Sequence, residues 1–167
     1  LNSCIVNDFF SYRVFWGIFA IALLKKDCAF IHCGCLDADN QGLIFAGTGG
    51  CGKTSTSFSL LERQGVKYLA EDFGIIDKNG IAYFNPKHMA IYNSDIKYKQ
   101  KDLVNYKKNT MSKYTKLVWK LYEFLGKNPK IRVAPEVILE ESRIKEKTNL
   151  KKVFFLARKS GEKIETK

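Results

Sequence analysis

At 167 residues the chain is long enough for one domain with a real core, and 46% apolar with 27% charged residues excludes disordered and collagen-like classes. The net charge of +11 is unevenly placed: residues 1–96 carry 8 basic and 9 acidic side chains, whereas residues 97–167 carry 20 and 8. A basic half of this kind suits an anionic partner or a lysine-rich solvated surface.

In chain order, the first feature is the apolar run VFWGIFAIALL at residues 14–24. It is shorter than the roughly 20 residues a membrane span needs, and no small-residue cleavage site follows before Lys25, Lys26 and Asp27. It predicts a buried helix over residues 10–25, and no membrane. The chain opens on Leu, which leaves a cut, processed or incomplete N-terminus open, and a fragment with it. Five cysteines (Cys4, Cys28, Cys33, Cys35, Cys51) form no even framework and point to a reducing, cytoplasmic setting. His32-Cys33-Gly34-Cys35 has the look of a metal clip. Alternate residues of a strand face opposite ways, however, and no second His/Cys cluster follows, so these cysteines read as small buried residues.

A strand is expected over residues 29–36, a polar turn at Asp37-Ala38-Asp39-Asn40, and a return strand over residues 42–46, together a hairpin. A glycine-rich stretch and a helix over residues 53–64 come next, with Gly65 at the helix C-terminus. Residues 66–70 and 73–76 read as one or two strands. Asp77-Lys78-Asn79-Gly80 is a hairpin turn returning through residues 81–84. After a lysine- and tyrosine-rich stretch at residues 96–109, Met111, Tyr114, Leu117, Val118, Leu121, Tyr122 and Leu125 recur at helical spacing and predict an inward apolar stripe. Gly126 and Pro129 end that helix. Residues 132–139 and 152–157 are further strands. The whole, residues 1–167, reads as a single α/β domain.

The chemistry is concentrated in one stretch. Gly47-Thr48-Gly49-Gly50-Cys51-Gly52-Lys53-Thr54 fits G-x-x-x-x-G-K-[ST], the phosphate-binding P-loop. Glycines let successive backbone N–H groups curl into a concave anion site, and the next helix points its positive end there. Lys53 is expected to reach the terminal phosphates of ATP, and the Thr54 hydroxyl to bind Mg²⁺. Cys51 contributes its backbone. Glu71-Asp72 closes the next strand, where an acidic residue can hold the metal while a neighbouring one takes a proton from the attacking hydroxyl.

His32, the run Gly42-Leu43-Ile44-Phe45-Ala46 with the loop through Thr54, Leu61-Glu62-Arg63-Gln64-Gly65 and Leu69-Ala70-Glu71-Asp72 resemble the catalytic domain of HPr kinase/phosphorylase. The similarity spans about residues 28–77, with weaker echoes in Phe84-Asn85-Pro86-Lys87-His88-Met89, Arg132-Val133-Ala134-Pro135-Glu136 and Leu150-Lys151-Lys152-Val153-Phe154-Phe155-Leu156. The resemblance implies a mixed β-sheet with a P-loop and flanking helices, as in phosphoenolpyruvate carboxykinase. It implies transfer of a terminal phosphate to a serine of a protein or peptide, with ATP and Mg²⁺ as cofactors. Lys53, Glu71, Asp72 and His32 would be catalytic: Lys53 on the transferring phosphate, His32 approaching it, and the acid pair shared between base and metal. Gly47, Thr48, Gly49, Gly50, Cys51, Gly52, Lys53 and Thr54 would hold the nucleotide, and Thr54 and Asp72 the metal. The first acid is Glu where the family typically has Asp, and the family's glycine-containing segment after the pair has no counterpart.

Other readings stay open at this point. A nucleotide-holding regulatory module and a small-molecule kinase fit the same loop. Nucleic-acid binding through residues 96–120, where Tyr98, Tyr106 and Tyr114 interleave with lysines, is weaker because Tyr114 lies on the stripe expected in the core. No N-K-x-D segment indicates a GTPase, and no serine-glycine signature indicates an ABC ATPase. The partners expected are a nucleotide and a protein or peptide acceptor, with a homo-oligomer open.

Overall fold

The computed structural model describes residues 7–93 and 101–157. Cys4, Tyr98 and the rest of residues 96–100 lie outside the described residues. Helix α1 (Asn7–Leu24) leads into strands β1 (Cys28–Ile31), β2 (Cys33–Ala38) and β3 (Gln41–Gly47), then helix α2 (Lys53–Leu61). Strands β4 (Val66–Ala70), β5 (Gly74–Asp77), β6 (Ile81–Tyr83) and β7 (Met89–Tyr92) follow. Helix α3 (Lys101–Asn105) runs into a π-helical turn, Tyr106–Thr110, before α4 (Lys113–Phe124), β8 (Lys130–Val133), the short helix α5 (Pro135–Ile138) and β9 (Lys147–Leu156).

Among the described residues the main sheet has seven strands in the order β1-β5-β6-β9-β3-β2-β4, and β7 and β8 form a separate antiparallel pair. Only β3 and β9 are parallel; the other neighbours in the main sheet run antiparallel. The protein is thus mixed α/β with a mostly antiparallel sheet. Its two outer strands are tied to the strands inside the sheet by the chain itself, since β1 continues into β2 through His32 and β4 continues into β5 through Glu71, Asp72 and Phe73. The sheet therefore curls, and β4 also meets β6 while β2 meets β5.

Alternation along the strands builds two cores. Leu36, Phe45 and Tyr68 point to the face covered by α2, where Phe58 and Leu61 meet them together with Met89 and Trp119. Their neighbours Cys35, Ile44 and Leu69 point into the curl, against Cys33, Ile76 and Ala82. Gly34 permits the close approach of α2, since a Cβ there would lie 2.7 Å from Ser57 Oγ. At the far end of the β2–β3 hairpin, Asp39 (φ 51°) and Asn40 (φ 63°) form the left-handed pair that matches strand twist. Buried Asp37 closes that end: it accepts from the Thr148 hydroxyl and the Asn40 N–H, and lies 3.0 Å from Lys145 Nζ.

Several expectations are corrected. The apolar run does form a helix, but it is not buried: Val14, Phe15, Ile18, Phe19, Ile21 and Leu24 are exposed. Its apolar residues surround the whole helix, so one side alone can pack; Trp16 and Phe19 do so, against Phe30 and Phe73. The strand expected over residues 29–36 is two strands broken at His32, because the partner changes there from β5 to β3 and β4. Helix α2 ends at Leu61, so Gly65 (φ 83°) belongs to the turn into β4 rather than to the helix cap. The strand expected over residues 132–139 stops at Val133, where Pro135 opens α5. The strand expected over residues 152–157 begins earlier, at Lys147.

The stripe on α4 is the largest reversal. Tyr114, Leu117, Leu121, Tyr122 and Leu125 are exposed, so Tyr114 is not core, while Trp119 on the other side is 2% exposed and donates to Asn93 Oδ1 at 3.2 Å. Trp119→Ala is therefore expected to cost about 3–5 kcal/mol in urea unfolding, whereas Leu121→Lys is expected to change stability by less than about 0.5 kcal/mol. No helix of the described residues is long and apolar enough to cross a membrane.

Candidate functional site

The register of the sheet collects the chemical residues at one end. Strand β3 finishes at Gly47, paired with Leu156 at the end of the parallel β9. Antiparallel β2 starts at Cys33 opposite Ala46, and β4 finishes at Ala70 opposite Cys35. His32, the glycine-rich loop and the Glu71-Asp72 pair thus all project from the same edge. The two breaks in the long strands also face each other. The pairs Ile31–Gly74 and Cys35–Ala70 flank them, which places His32 across from Asp72.

The loop from Thr48 to Gly52 joins β3 to α2. Gly47 must be glycine, because a Cβ would strike the Leu156 carbonyl and the Cys51 sulfur. Gly50 (φ 75°) and Gly52 (φ 101°) are left-handed, and added Cβ atoms at Gly49, Gly50 and Gly52 would meet nothing within 4 Å. The outer side of the loop is therefore open. Helix α2 starts at Lys53 with no side-chain cap and no acid of its own in its first turn, so no carboxylate of the helix itself competes for its first N–H groups.

Lys53 is 8% exposed, and its ammonium donates to the carbonyls of Gly47 at 2.8 Å and Thr48 at 3.0 Å, with Cys51 Sγ at 4.0 Å. Its charge is felt at Cys33, the first residue of β2. Burial pushes that thiol up to about 11, while the Gly74 N–H and Lys53 pull the other way. Burial raises the Cys35 thiol as well, helped by Cys33 and Asp37. Both cysteines are fully buried and behave as small core residues.

Thr54, the second residue of the helix, donates its hydroxyl to Glu71 Oε1, and Glu71 is 6% exposed. Beneath it, burial and then the Glu71 carboxylate hold the Tyr68 phenol well above its usual range. Asp72 is different. It has a φ of 67°, in the left-handed region that aspartate tolerates better than most residues, and its side chain is 43% exposed. Its Oδ1 lies 3.9 Å from His32 Nε2, and the imidazole rests near the Phe73 ring. The two neighbouring acids thus face different surroundings, one locked on Thr54 and one open beside an imidazole.

Lys87 also belongs to this site, and its role was not read from the sequence. Its Nζ lies 3.8 Å from Asp72 Oδ2 and 4.0 Å from the centre of the Phe73 ring. The segment is pinned by buried Asn85, whose N–H donates to Leu69 O, whose amide donates to Phe73 O, and whose Oδ1 accepts from the Lys87 N–H. The available signal was Asn85-Pro86-Lys87 itself, a rigid polar turn between two apolar strands. A cavity of about 410 Å³ lies elsewhere, at the other end of α2 beside Arg63, Lys67 and Arg143.

Among the described residues no three His, Cys, Asp or Glu side chains converge as a protein-only metal site. Mg²⁺ is ordinarily held by one or two protein oxygens together with phosphates and water, and the adjoining Thr54 hydroxyl and Glu71 carboxylate are oxygen donors of that kind. Comparison with protein-family models and with characterised proteins gives no match for this chain.

Proposed function

We propose that the chain is a Mg-ATP-dependent phosphotransferase of the HPr kinase type, with a P-loop and a phosphoenolpyruvate carboxykinase-like sheet, acting on a serine hydroxyl of a protein or peptide. One observation carries the reading. The open glycine loop, the Lys53 ammonium, the Thr54–Glu71 pair and the Asp72–His32 pair share one edge of the sheet.

In this reading the amides of the loop and of the first turn of α2 hold the phosphates. Lys53 leaves the Gly47 and Thr48 carbonyls for phosphate oxygens and neutralises charge that grows during transfer. Gly47 to Thr54, with Cys51 acting through its backbone, form the nucleotide cradle. Thr54 and Glu71 would hold Mg²⁺, which shields the phosphate charge. Because Thr54 bonds to Glu71, the metal role falls to Glu71 and the base role to the open Asp72. Asp72 then takes the proton of the acceptor hydroxyl as its oxygen bonds to the terminal phosphorus. The bond from that phosphorus to the bridging oxygen breaks, and the electron pair leaves on ADP. His32 stands beside Asp72 and faces the same terminal phosphate.

A second reading, a regulatory module that holds nucleotide without transferring phosphate, is favoured by Glu71, whose longer arm is already engaged by Thr54. A small-molecule acceptor is the other variant. Incubation with ATP labelled in its terminal phosphate, with serine-containing peptides as acceptors, separates them. Label in peptide supports the kinase; saturable binding with no labelled product supports the module.

A further inference from the structure

The structure assigns a second anion subsite to Lys87, beside Asp72; this rests on the phosphate-binding reading above. The Lys87 side chain is 14% exposed, so most of it is withdrawn from water. Burying a cation is costly unless something compensates it. What surrounds it compensates only in part. The ion pair to Asp72 is 3.8 Å long, beyond hydrogen-bond reach, and the remaining neighbours are the faces of Phe73 at 4.0 Å and Trp16 at 5.4 Å. Among the described residues the ammonium donates no hydrogen bond, so three N–H groups stand ready beside the carboxylate proposed as base.

The position is built. Asn85 fixes the backbone of Lys87 against β4 and Phe73, and Trp16 stacks on Phe73 at 5.6 Å with 18° between the rings. The backbone that carries the cation is therefore fixed beside the two rings. A ligand that suits it carries an anionic oxygen next to a hydroxyl or phosphoryl group, so that Lys87 donates to the anion while Asp72 accepts from the hydroxyl. The anionic oxygen has two sources: the terminal phosphate of ATP, or an anionic group on the acceptor itself. Both make Lys87 a determinant of which ligands the site accepts.

Calorimetric titration of the full chain with Mg-ATP, with Mg-ADP, and with inorganic phosphate on the Mg-ADP complex tests this. Wild type is compared with Lys87→Met, which keeps the stem over Phe73, and with Lys87→Arg, which keeps the charge. Circular dichroism melts confirm that the variants fold. If the terminal phosphate is the ligand, Lys87→Met weakens ATP by about tenfold or more and leaves ADP within about twofold. If the acceptor's anion is the ligand, both nucleotides bind as in wild type, and phosphate binding to the ADP complex falls by the same factor. In either case Lys87→Arg restores most of the loss. Equal binding of all three probes by wild type and Lys87→Met overturns the subsite and leaves the nucleotide site standing. Failure of wild type to bind either nucleotide overturns the phosphate-site reading, and the subsite with it.

Discussion

Asp72→Asn is expected to lower phosphoryl transfer on the order of a thousandfold while Mg-ATP affinity stays within about twofold. Asparagine is the suitable replacement because it tolerates the left-handed backbone at φ 67°, so the turn survives and only the proton acceptor is lost. The neighbouring side chains remain, since His32 at 3.9 Å and Lys87 at 3.8 Å are not altered by the change. Glu71→Gln has another expected signature. It removes the charge from a 6% exposed carboxylate bonded to Thr54, and so reduces the Mg²⁺ dependence of nucleotide binding. Single-turnover rates and equilibrium binding, measured on both variants, distinguish the two roles. If Asp72→Asn transfers phosphate at the wild-type rate, Asp72 is not the base.

Lys53→Met is the second large effect. Transfer is expected to drop by about 10²–10³, the cost of removing one fixed electrostatic partner from a developing anion. Unlike Asp72→Asn, this variant also loses nucleotide affinity, because the lysine contacts phosphate before reaction as well as during it. Methionine keeps most of the buried stem, yet the Gly47 and Thr48 carbonyls lose the donor now 2.8 and 3.0 Å away. A stability decrease of about 1–2 kcal/mol is expected from that loss, too little to explain an inactive protein by unfolding. Lys53→Arg does not rescue, since the planar guanidinium is wider than the gap an ammonium fills between two loop carbonyls. Isothermal binding and a urea melt of the same preparations check both parts.

Much of this edge is legible in the sequence for local reasons. The Asp39-Asn40 turn, the strand before the glycine loop and the helix after it depend on short-range rules, and each lies where its residues require. What spacing does not reveal is which side of an amphipathic helix faces inward. On α4 the periodic stripe faces out, because Trp119 and its bond to Asn93 anchor the opposite side. The same limit applies to α1, where apolar residues all round the helix give no preferred face. His32 and Asp72 are 40 residues apart, with no simple period linking them; they meet because two long strands break at matched positions. Lys87 escaped for a related reason. Nothing local marks a lysine in a turn as withdrawn from water, and only the fold carries it over Phe73.

Titration of uniformly ¹⁵N-labelled protein with Mg-ATP tests the central claim most directly, read at the backbone amides of Gly49, Gly50, Gly52, Lys53 and Thr54. Saturable shifts centred on those amides are predicted, with the Asp39-Asn40 turn at the far end of the hairpin unmoved. Loop amides that stay in place at millimolar Mg-ATP would contradict the account.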